Sequence, residues 1–550
     1  TQVDGAGTLS YPVPKGGILD RNNSSGRSHQ FRSLLRYGIT KRKHRLNVLG
    51  GFEAKDNQFN SYGTRYYGYN RTLASSIPVD LVNTYPYYYN PFLSRQIPNS
   101  AGLSDRSDRF LSYYGNVGYT YDQKVDVTLS TRKDQSNLFG VRSNQRGIPL
   151  YSLGLGWTLS EMGFYDWEKL PYLKLRGSYG YNGNIDKSLT GETTALFLTS
   201  SFFGYNPGVP YARIMNPPYP DLRWERIRIV NVGVDFESQN GRISGSVEYY
   251  WKKGMDLISN TQLPPSSGLG SFRGNAANSS GHGLDLILNT RNIQGKVKWN
   301  TQWLFSTNSE IVSRYLLEEP INNVLMDGAT GFGVISPVED YPLYPVFSYR
   351  WAGLDPDTGD PRGYLDGNPS SDYSGIIQAS DLESLVYHGS ARPTVFGSIR
   401  NTLQWKGLSV SFNITYKLGY YYRRNSVLYE NLLTGEPDHS DFALRWRSPG
   451  DELRTNVPSI PEARSSNRDQ LYRYSEVLVE RGDHIRFQDI NISYSFPADG
   501  SSKSFLSGLE VYSYLNNLGM IWKASSDRLD PEYRYLNPMR SYAVGVRASF

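Results

Sequence analysis

Apolar and polar residues alternate along many short segments of the chain. The clearest case is Ala391–Lys417, in which two alternating runs flank Lys406 and Gly407. The second run has apolar side chains at every other position, namely Leu408, Val410, Phe412, Ile414 and Tyr416. A period of two residues indicates a β-strand with one apolar and one polar face. Each run is about ten residues long, enough to cross a bilayer at a tilt.

The same alternation recurs along the chain and predicts about fifteen strands. Asn240-Gly241 is a strong two-residue hairpin signal between two such runs. The last run, Tyr542–Phe550, ends the sequence. Residues 1–27 are rich in Gly, Ser and Asn, and we expect them to be an extracellular loop. We therefore predict an all-β chain whose strands occupy residues 28–550.

The connections between the predicted strands alternate between short and long. The short ones lie near residues 40–42, 122–123, 161–169, 240–241, 291–295, 406–407 and 497–503, and the long ones near 56–109, 133–146, 182–225, 253–282, 307–393, 418–483 and 517–539. Transmembrane antiparallel β-barrels have short periplasmic turns and long extracellular loops in this way. No repeat of fixed length is visible, which argues against a propeller. A soluble all-β fold is the alternative.

Composition is consistent with a barrel and excludes several other classes. No stretch approaches the ~18 apolar residues of a membrane-spanning helix, and the mean hydropathy is −0.52. Polar lumen and loop residues produce such a value in barrels. The 44 Tyr and 10 Trp suit membrane interfaces. A net charge of +6 without a long basic run gives little support for nucleic-acid binding, and the lack of Cys excludes thiolate metal sites.

An aromatic run in the first long loop is a candidate ligand-binding or partner-binding surface. Its members are Tyr85, Tyr87, Tyr88, Tyr89 and Phe92. Such rings stack on sugars or pack against a partner protein. Packing within the loop itself is the alternative.

Three acidic residues, Asp355, Asp357 and Asp360, have the oxygen-ligand character of a calcium loop. No suitably spaced Glu completes that loop, and Pro356 and Gly359 also suit an ordinary tight turn. A Ca²⁺ ion in this extracellular loop is the one cofactor for which the sequence gives any indication. The segment Asp530-Pro531-Glu532 is likewise predicted to be a turn.

Catalytic chemistry has no signature in this sequence. The six His are scattered, and no GxSxG, HExxH or P-loop motif occurs. We therefore do not expect an enzyme. Arg32, Arg36, Arg400 and Arg547 fall on the predicted polar strand faces, where they would pair with acidic residues of a domain inside the barrel or line a ligand path.

At the level of whole segments, the chain resembles the SusC/RagA family of TonB-dependent outer-membrane transporters of Bacteroidetes. The resemblance is carried by Lys43–Glu53, Ser178–Asn184, Pro220–Phe236, Gly281–Leu288, Trp351–Pro361, Arg392–Gly419, Val479–Phe496, Leu515–Gly519 and Tyr542–Phe550. Phe550 matches the terminal aromatic residue by which outer-membrane barrels are recognised for assembly. Each segment alone is weak, but their order and spacing are specific.

The resemblance implies a multi-pass barrel in the bacterial outer membrane that takes up oligosaccharides, glycans or other large nutrients. It implies coupling to the TonB complex and a SusD-like surface lipoprotein that closes as a lid, and it allows a dimer of the transporter–lipoprotein pair. Two alternatives remain open: a passive porin or assembly scaffold, and a soluble all-β surface protein that binds or degrades glycans.

The chain departs from the family at its start. Family members begin with a TonB-contacting segment and a plug domain, followed by a barrel of ~22 strands. The plug signatures are absent here. Counting strand directions back from Phe550 equates the fifteen predicted strands with the last fifteen of twenty-two. We therefore expect the C-terminal part of a barrel, partnered by an N-terminal barrel and plug segment of the same protein.

Overall fold

A curved antiparallel sheet forms most of the molecule. The computed structural model describes residues 2–3, 9–87, 93–137, 147–186, 189–199, 210–263, 266, 271–317, 319–330, 336–433, 435, 439–496, 508–533 and 536–549. The main strands are β1 (Gly17–Lys41), β2 (His44–Asn70), β3 (Gly102–Tyr121), β4 (Val125–Ser136), β5 (Gly147–Thr158), β6 (Tyr172–Asn184), β7 (Glu225–Glu237), β8 (Ile243–Gln262), β9 (Ser271–Gln294), β10 (Val297–Thr307), β11 (Val395–Trp405), β12 (Leu408–Leu418), β13 (His484–Phe496), β14 (Gly508–Lys523) and β15 (Ser541–Ser549).

Smaller elements lie between these strands. Ser309–Tyr315 continues β10 beyond Asn308 and pairs with the outer half of β9. Short strands are Gln2–Val3, Leu9–Ser10, Ser75–Ile77, Thr84–Pro86, Ser94–Gln96, Thr194–Thr199, Pro210–Asn216, Pro345–Ser348, Gly363–Leu365, Asn368–Ser370, Val386–Ser390, Tyr421–Arg423 and Val479–Arg481. The helices are α1 (Ile321–Thr330), α2 (Tyr373–Ala379), α3 (Tyr429–Leu433) and α4 (Ser466–Arg473). No described helix is long and apolar enough to cross a membrane.

The predicted strand number and up-and-down order are confirmed, but large parts of three predicted loops belong to the main strands. One of these loops is residues 56–109, into which β2 and β3 extend. Residues 17–27 belong to β1, where Asp20 pairs with Arg65 of β2 at 2.6 Å. Most of residues 253–282 likewise belongs to β8 and β9. These extensions are mostly polar, and some of their apolar residues are adjacent rather than alternating, as Leu257 and Ile258 are, so no strand was predicted there. The ladder to the neighbouring strand pairs their backbone groups.

One face of the sheet is apolar from the first strand to the last. Directly opposed residues in an antiparallel pair point to the same face. One such row runs through Val234, Val247, Leu286, Phe305, Gly397 and Tyr416. At the end of the sheet, Val544 and Val546 are 77% and 64% exposed, and no second sheet covers them among the described residues. This finding confirms the predicted membrane-facing surface and contradicts a sandwich.

The two ends of the sheet do not share a ladder. The strand order is that of a closed barrel, and residue registers join each main strand to the next. Among the described strands, however, no register joins β15 to β1. Because the strands alternate in direction and their number is odd, β1 and β15 run the same way and cannot pair antiparallel. β1 and β15 are therefore the edges of the sheet, and both are exposed along almost their whole length.

A bulge in β13 shifts the faces of that strand. The register with β12 passes from Asn413–Asp489 to Ile414–Phe487, which leaves Gln488 as the extra residue. Asp489 and Arg486 therefore share the polar face, although three positions apart would otherwise place them on opposite faces. Phe487 remains on the apolar face beside Ile414.

Gly397 gives a test of the close packing on the apolar face. A Cβ there would lie 2.0 Å from the Leu304 carbonyl oxygen and 2.4 Å from the Tyr416 hydroxyl. We expect Gly397→Val to destabilise the barrel by about 1–3 kcal/mol, because backbone would have to move. Gly50→Val is the matched control on the same face, since nothing lies within 4 Å of a Cβ at Gly50. Denaturant unfolding followed by heat-modifiable gel mobility measures both, and equal stability of the two variants would contradict the packing described.

Candidate functional site

The polar face of the sheet has ion pairs between neighbouring strands. Arg32 lies directly opposite Glu53 and contacts it at 2.7 Å, and Arg547 lies opposite Glu510 at 2.9 Å. Arg400 reaches Asp489 two strands away at 3.2 Å. The predicted polar-face positions of these three arginines are confirmed. Their partners are carboxylates of the sheet itself, so no acidic residue from another domain is needed to neutralise them.

The same arrangement continues in the middle of the sheet. Arg176 contacts both Asp235 and Glu248 at 3.0 Å, and Lys174 contacts Asp126 at 2.7 Å. These side chains are roughly a quarter to two fifths exposed. In a transmembrane barrel the polar face lines the lumen. The lumen wall therefore presents hydrated charges of both signs.

Three long connections pack together into one structure at the outer end of the sheet. This outer-loop body consists of the described residues between 316 and 394 and between 419 and 483, and the described residues of the last connection, 524–533 and 536–540, lie against it. One apolar cluster contains Val324, Leu325, Phe347, Tyr349, Ile376, Leu385, Leu471 and Tyr474, and a second contains Val427, Tyr429, Val457, Tyr472 and Leu478. Helix α4 joins the two clusters, because Leu471 belongs to the first and Tyr472 to the second. The loops thus have a core of their own.

Two buried arginines tie the segments of the outer-loop body together. Arg468 is 3% exposed and donates to Asp360 Oδ1 at 2.7 Å and to the Ser459 carbonyl oxygen at 2.8 Å. Arg423 is 6% exposed and donates to the carbonyl oxygens of Leu325, at 2.8 Å, and of Phe347. Guanidinium groups buried in this way require several acceptors, which the crossing loops supply.

The predicted calcium loop has the hydrogen bonds of a tight turn. Asp355 Oδ1 accepts from the backbone N–H groups of Asp357 and Thr358 at 3.0 and 3.1 Å. Asp360 is engaged by Arg468. Within the part of the chain that the structure describes, no three acidic or His side chains converge on a point that would hold a metal. A cation at Asp355, Asp357 and Asp360 remains a prediction.

The predicted aromatic surface is described only in part. Tyr88, Tyr89 and Phe92 lie outside the described residues, as does Phe550. Tyr85 is half-buried in a short strand, and its hydroxyl donates to Asp80 Oδ2 at 2.9 Å. Tyr87 is also half-buried, and its N–H donates to the Leu93 carbonyl oxygen at 2.9 Å. The loop thus uses part of this surface for its own structure, and a ligand or partner contact stays a prediction.

A partly buried ionic cluster, which we call the lumen anchor, holds the last connection against the polar face. Arg486 contacts Asp530 at 2.7 Å and Glu532 at 3.1 Å. Lys417, the register partner of His484, also pairs with Glu532. His484 lies 3.5 Å from Glu532. All three basic residues belong to the polar faces of β12 and β13, so the segment around Asp530 and Glu532 lies over the outer end of the lumen wall.

Burial and charge set the protonation states in the lumen anchor. Burial alone would raise the pKa of the Glu532 carboxyl, but hydrogen bonds from His484 and Lys417 outweigh it and lower that pKa to about 2. Burial raises the pKa of the Tyr420 hydroxyl, which contacts His484 Nδ1 at 3.1 Å. Glu532 is therefore an anion and Tyr420 a neutral phenol near neutral pH.

The predicted turn at Asp530 is confirmed, but the lumen anchor was not predicted from the sequence. The turn is present, since Glu532 N–H donates to Asp530 Oδ1 at 3.0 Å. The two acidic residues within this turn, Asp530 and Glu532, were the available sequence signal for the lumen anchor. Their partners Arg486 and Lys417 are 44 or more residues away in the chain, and Arg486 lies beyond the bulge that breaks the alternation of β13.

The lowered pKa of Glu532 predicts a pH-dependent tether. Its contribution is present above the ordinary value of 4.5 and is lost as the pH falls towards about 2. At pH 7, Glu532→Gln should lower the free energy of opening of residues 530–533 by on the order of 2 kcal/mol. The difference from the unaltered protein should vanish near pH 2. Hydrogen exchange of these amides, corrected for intrinsic rates, measures it.

Glu383→Gln provides the control for that experiment, because Glu383 is an exposed glutamate of the same outer-loop body. It should leave the exchange of residues 530–533 unchanged at every pH. Identical protection in the unaltered protein and in Glu532→Gln at pH 7 would show that the Glu532 ion pairs do not hold this connection.

Comparison with known proteins agrees with this arrangement. A family model described as TonB dependent receptor-like, beta-barrel, matches residues 15–324. TonB-dependent receptor P39 of Formosa agariphila is 26% identical over 467 residues, covering 77% of this chain and 43% of that protein. TonB-dependent receptor SusC of Bacteroides thetaiotaomicron is 23% identical over 456 residues, covering 80% of this chain and 43% of that protein.

A solved structure has the same fold. The RagAB peptide transporter superposes with a TM-score of 0.76 at 22% identity, over 97% of this chain and 57% of that chain. The chain spans about half the length of the curated relatives it matches. Because the family model covers more than half of the chain and the sheet has the apolar and polar faces of a membrane barrel, the chain belongs to the TonB-dependent receptor-like β-barrels of the bacterial outer membrane.

Proposed function

We propose that this chain is the C-terminal part of the barrel of a TonB-coupled importer that takes up large polar nutrients. The observation that carries the proposal is the two-faced wall, apolar towards lipid and lined with paired charges towards the lumen. A lumen wall whose charges are already paired neither repels nor firmly traps a polar solute of either sign. The chemistry is transport, and the chain needs no catalytic group for it.

The two sheet edges support completion by further strands of the same protein. Unpaired backbone groups at β1 and β15 would be costly in hydrocarbon. An odd number of added strands makes the total even, which antiparallel closure requires. Seven strands would give a barrel of ~22. A plug domain carried with those strands would receive the pull of the TonB complex and open the lumen.

A surface lipoprotein of the SusD type is the proposed partner at the outer face. Leu444, Leu453 and Ile460 of the outer-loop body are 63%, 87% and 46% exposed. Apolar patches on a protein surface mark interaction sites, and these residues are the part of the outer surface that we assign to the partner contact. A dimer of the transporter–lipoprotein pair belongs to the same proposal.

The cargo is proposed as an oligosaccharide or a peptide. The resemblance to SusC is the reason for including carbohydrate. The RagAB structure is described as a peptide transporter, which is the reason for including peptides. Tyr85 and Tyr87 in the first long loop would offer ring faces to either class.

Uptake by cells that carry the complete protein tests the proposal. Labelled oligosaccharide and peptide pools are supplied to these cells, to cells lacking TonB, and to cells treated with a protonophore. Loss of TonB, or of the proton gradient in protonophore-treated cells, should reduce uptake of the cargo by at least about tenfold, because a plugged lumen opens only when TonB pulls on the plug. Energy-independent uptake would identify a passive porin and overturn the proposal.

The lipoprotein contact has a separate test. Leu444→Asp combined with Leu453→Asp should reduce the amount of lipoprotein that co-purifies with the complete protein several-fold, because a buried carboxylate in an apolar contact is costly. Leu103→Asp is the matched control, since Leu103 is 92% exposed at the outer end of β3. Unchanged co-purification of both variants would place the partner elsewhere.

A further inference from the structure

Two cations face lipid side by side at the outer border of the apolar face. Arg228 of β7 and Lys253 of β8 are direct register partners. The adjacent same-face pair towards the periplasm is Val230 with Trp251. Both cations therefore lie on the apolar face, one step outside its aliphatic and aromatic residues.

This pair differs from its neighbours in lacking a counter-charge. Like charges directly opposite each other destabilise an antiparallel pair. Arg226 contacts Asp256 at 2.6 Å, and Arg223 contacts the same carboxylate at 2.6 Å. Within the described parts of the chain, neither Arg228 nor Lys253 has an ion-pair partner. An anion between the two side chains would turn the repulsion into attraction on both sides.

Aromatic side chains fix the depth of the pair in the membrane. Tyr181 lies opposite Arg228, and its hydroxyl is 3.1 Å from that of Tyr179. Trp251 is 47% exposed and lies opposite His282. Tyr and Trp rings concentrate where the hydrocarbon meets the lipid headgroups. The two cations therefore lie at headgroup depth in the outer leaflet.

We propose that Arg228 and Lys253 bind the phosphate of an anionic lipid of the outer leaflet. The planar guanidinium of Arg228 suits a forked contact to phosphate oxygens, and Lys253 adds a compact charge. The rings of Tyr181 and Trp251 pack along the base of the headgroup. The site is independent of the transport path, because it lies on the opposite face of the wall from the lumen ion pairs.

The test is lipid binding to the complete protein purified in detergent, read by native mass spectrometry. The probes are diphosphorylated lipid A, the same glycolipid without phosphate, and inorganic phosphate as a competitor. We expect the phosphorylated lipid to remain bound and its affinity to fall at least about tenfold in Arg228→Gln/Lys253→Gln. The dephosphorylated lipid should bind both proteins equally, and inorganic phosphate should not displace the lipid.

Lys252→Gln is the matched control, because Lys252 is the sequence neighbour of Lys253 but faces the lumen over the Tyr250 ring. It should retain the affinity of the unaltered protein. Heat-modifiable gel mobility shows whether each variant is a folded barrel. If the double variant does not fold, the comparison is made with the single variants Arg228→Gln and Lys253→Gln. Equal affinity of the unaltered protein and the folded double or single variants would overturn the proposal, as would complete displacement of the lipid by inorganic phosphate.

Discussion

Backbone hydrogen bonding in a medium without water is the constraint on which this structure depends. In hydrocarbon, each N–H and C=O must find a protein partner, and a ladder between neighbouring strands provides one for both. The pleat then assigns alternate side chains to lipid and to lumen. Leu408–Leu418 meets both demands, with its apolar residues in register across β11 and β13. The ion pairs on the other face are possible because they lie away from lipid.

Outside the bilayer, the chain is stabilised by side-chain packing and long-range polar contacts rather than by a strand ladder alone. There, the loops build an ordinary buried core around α4, and Arg423 and Arg468 hold crossing segments through carbonyl oxygens and one carboxylate. The lumen anchor joins this structure to the wall, since Arg486 and Lys417 belong to strands while Asp530 and Glu532 belong to the last connection. The outer face is therefore set by long-range contacts rather than by strand alternation.

The sequence predicts the structure correctly where contact with lipid imposes an alternation of apolar and polar residues. It does not predict the segments where lipid imposes no alternation. The strands of the apolar face were predictable because Val410 or Val544 has only one favourable side in a membrane. The outer extension of β1 was not predictable, since neighbouring polar residues such as Asp20 and Arg21 are exposed on its two opposite faces. The lumen anchor depends on Glu532 meeting Arg486 across 46 positions of the chain. No local sequence pattern predicts a contact between residues so far apart in the chain, although the two acidic residues Asp530 and Glu532 indicated that a basic partner was present.

Gln488 has a consequence for how this protein tolerates change. As the extra residue of the β13 bulge, it is left out of the register, so the positions between it and the outer end of the strand keep their partners in β12. Loss of Gln488 would straighten the strand but leave Arg486 and His484 facing the lumen and Phe487 facing the acyl chains. At positions without a bulge, an insertion or deletion of one residue inverts the two faces of a strand, whereas a change of two residues preserves them. Among related proteins, single-residue length variation should therefore be tolerated at the bulge, while the regular parts of the strands should vary in even steps.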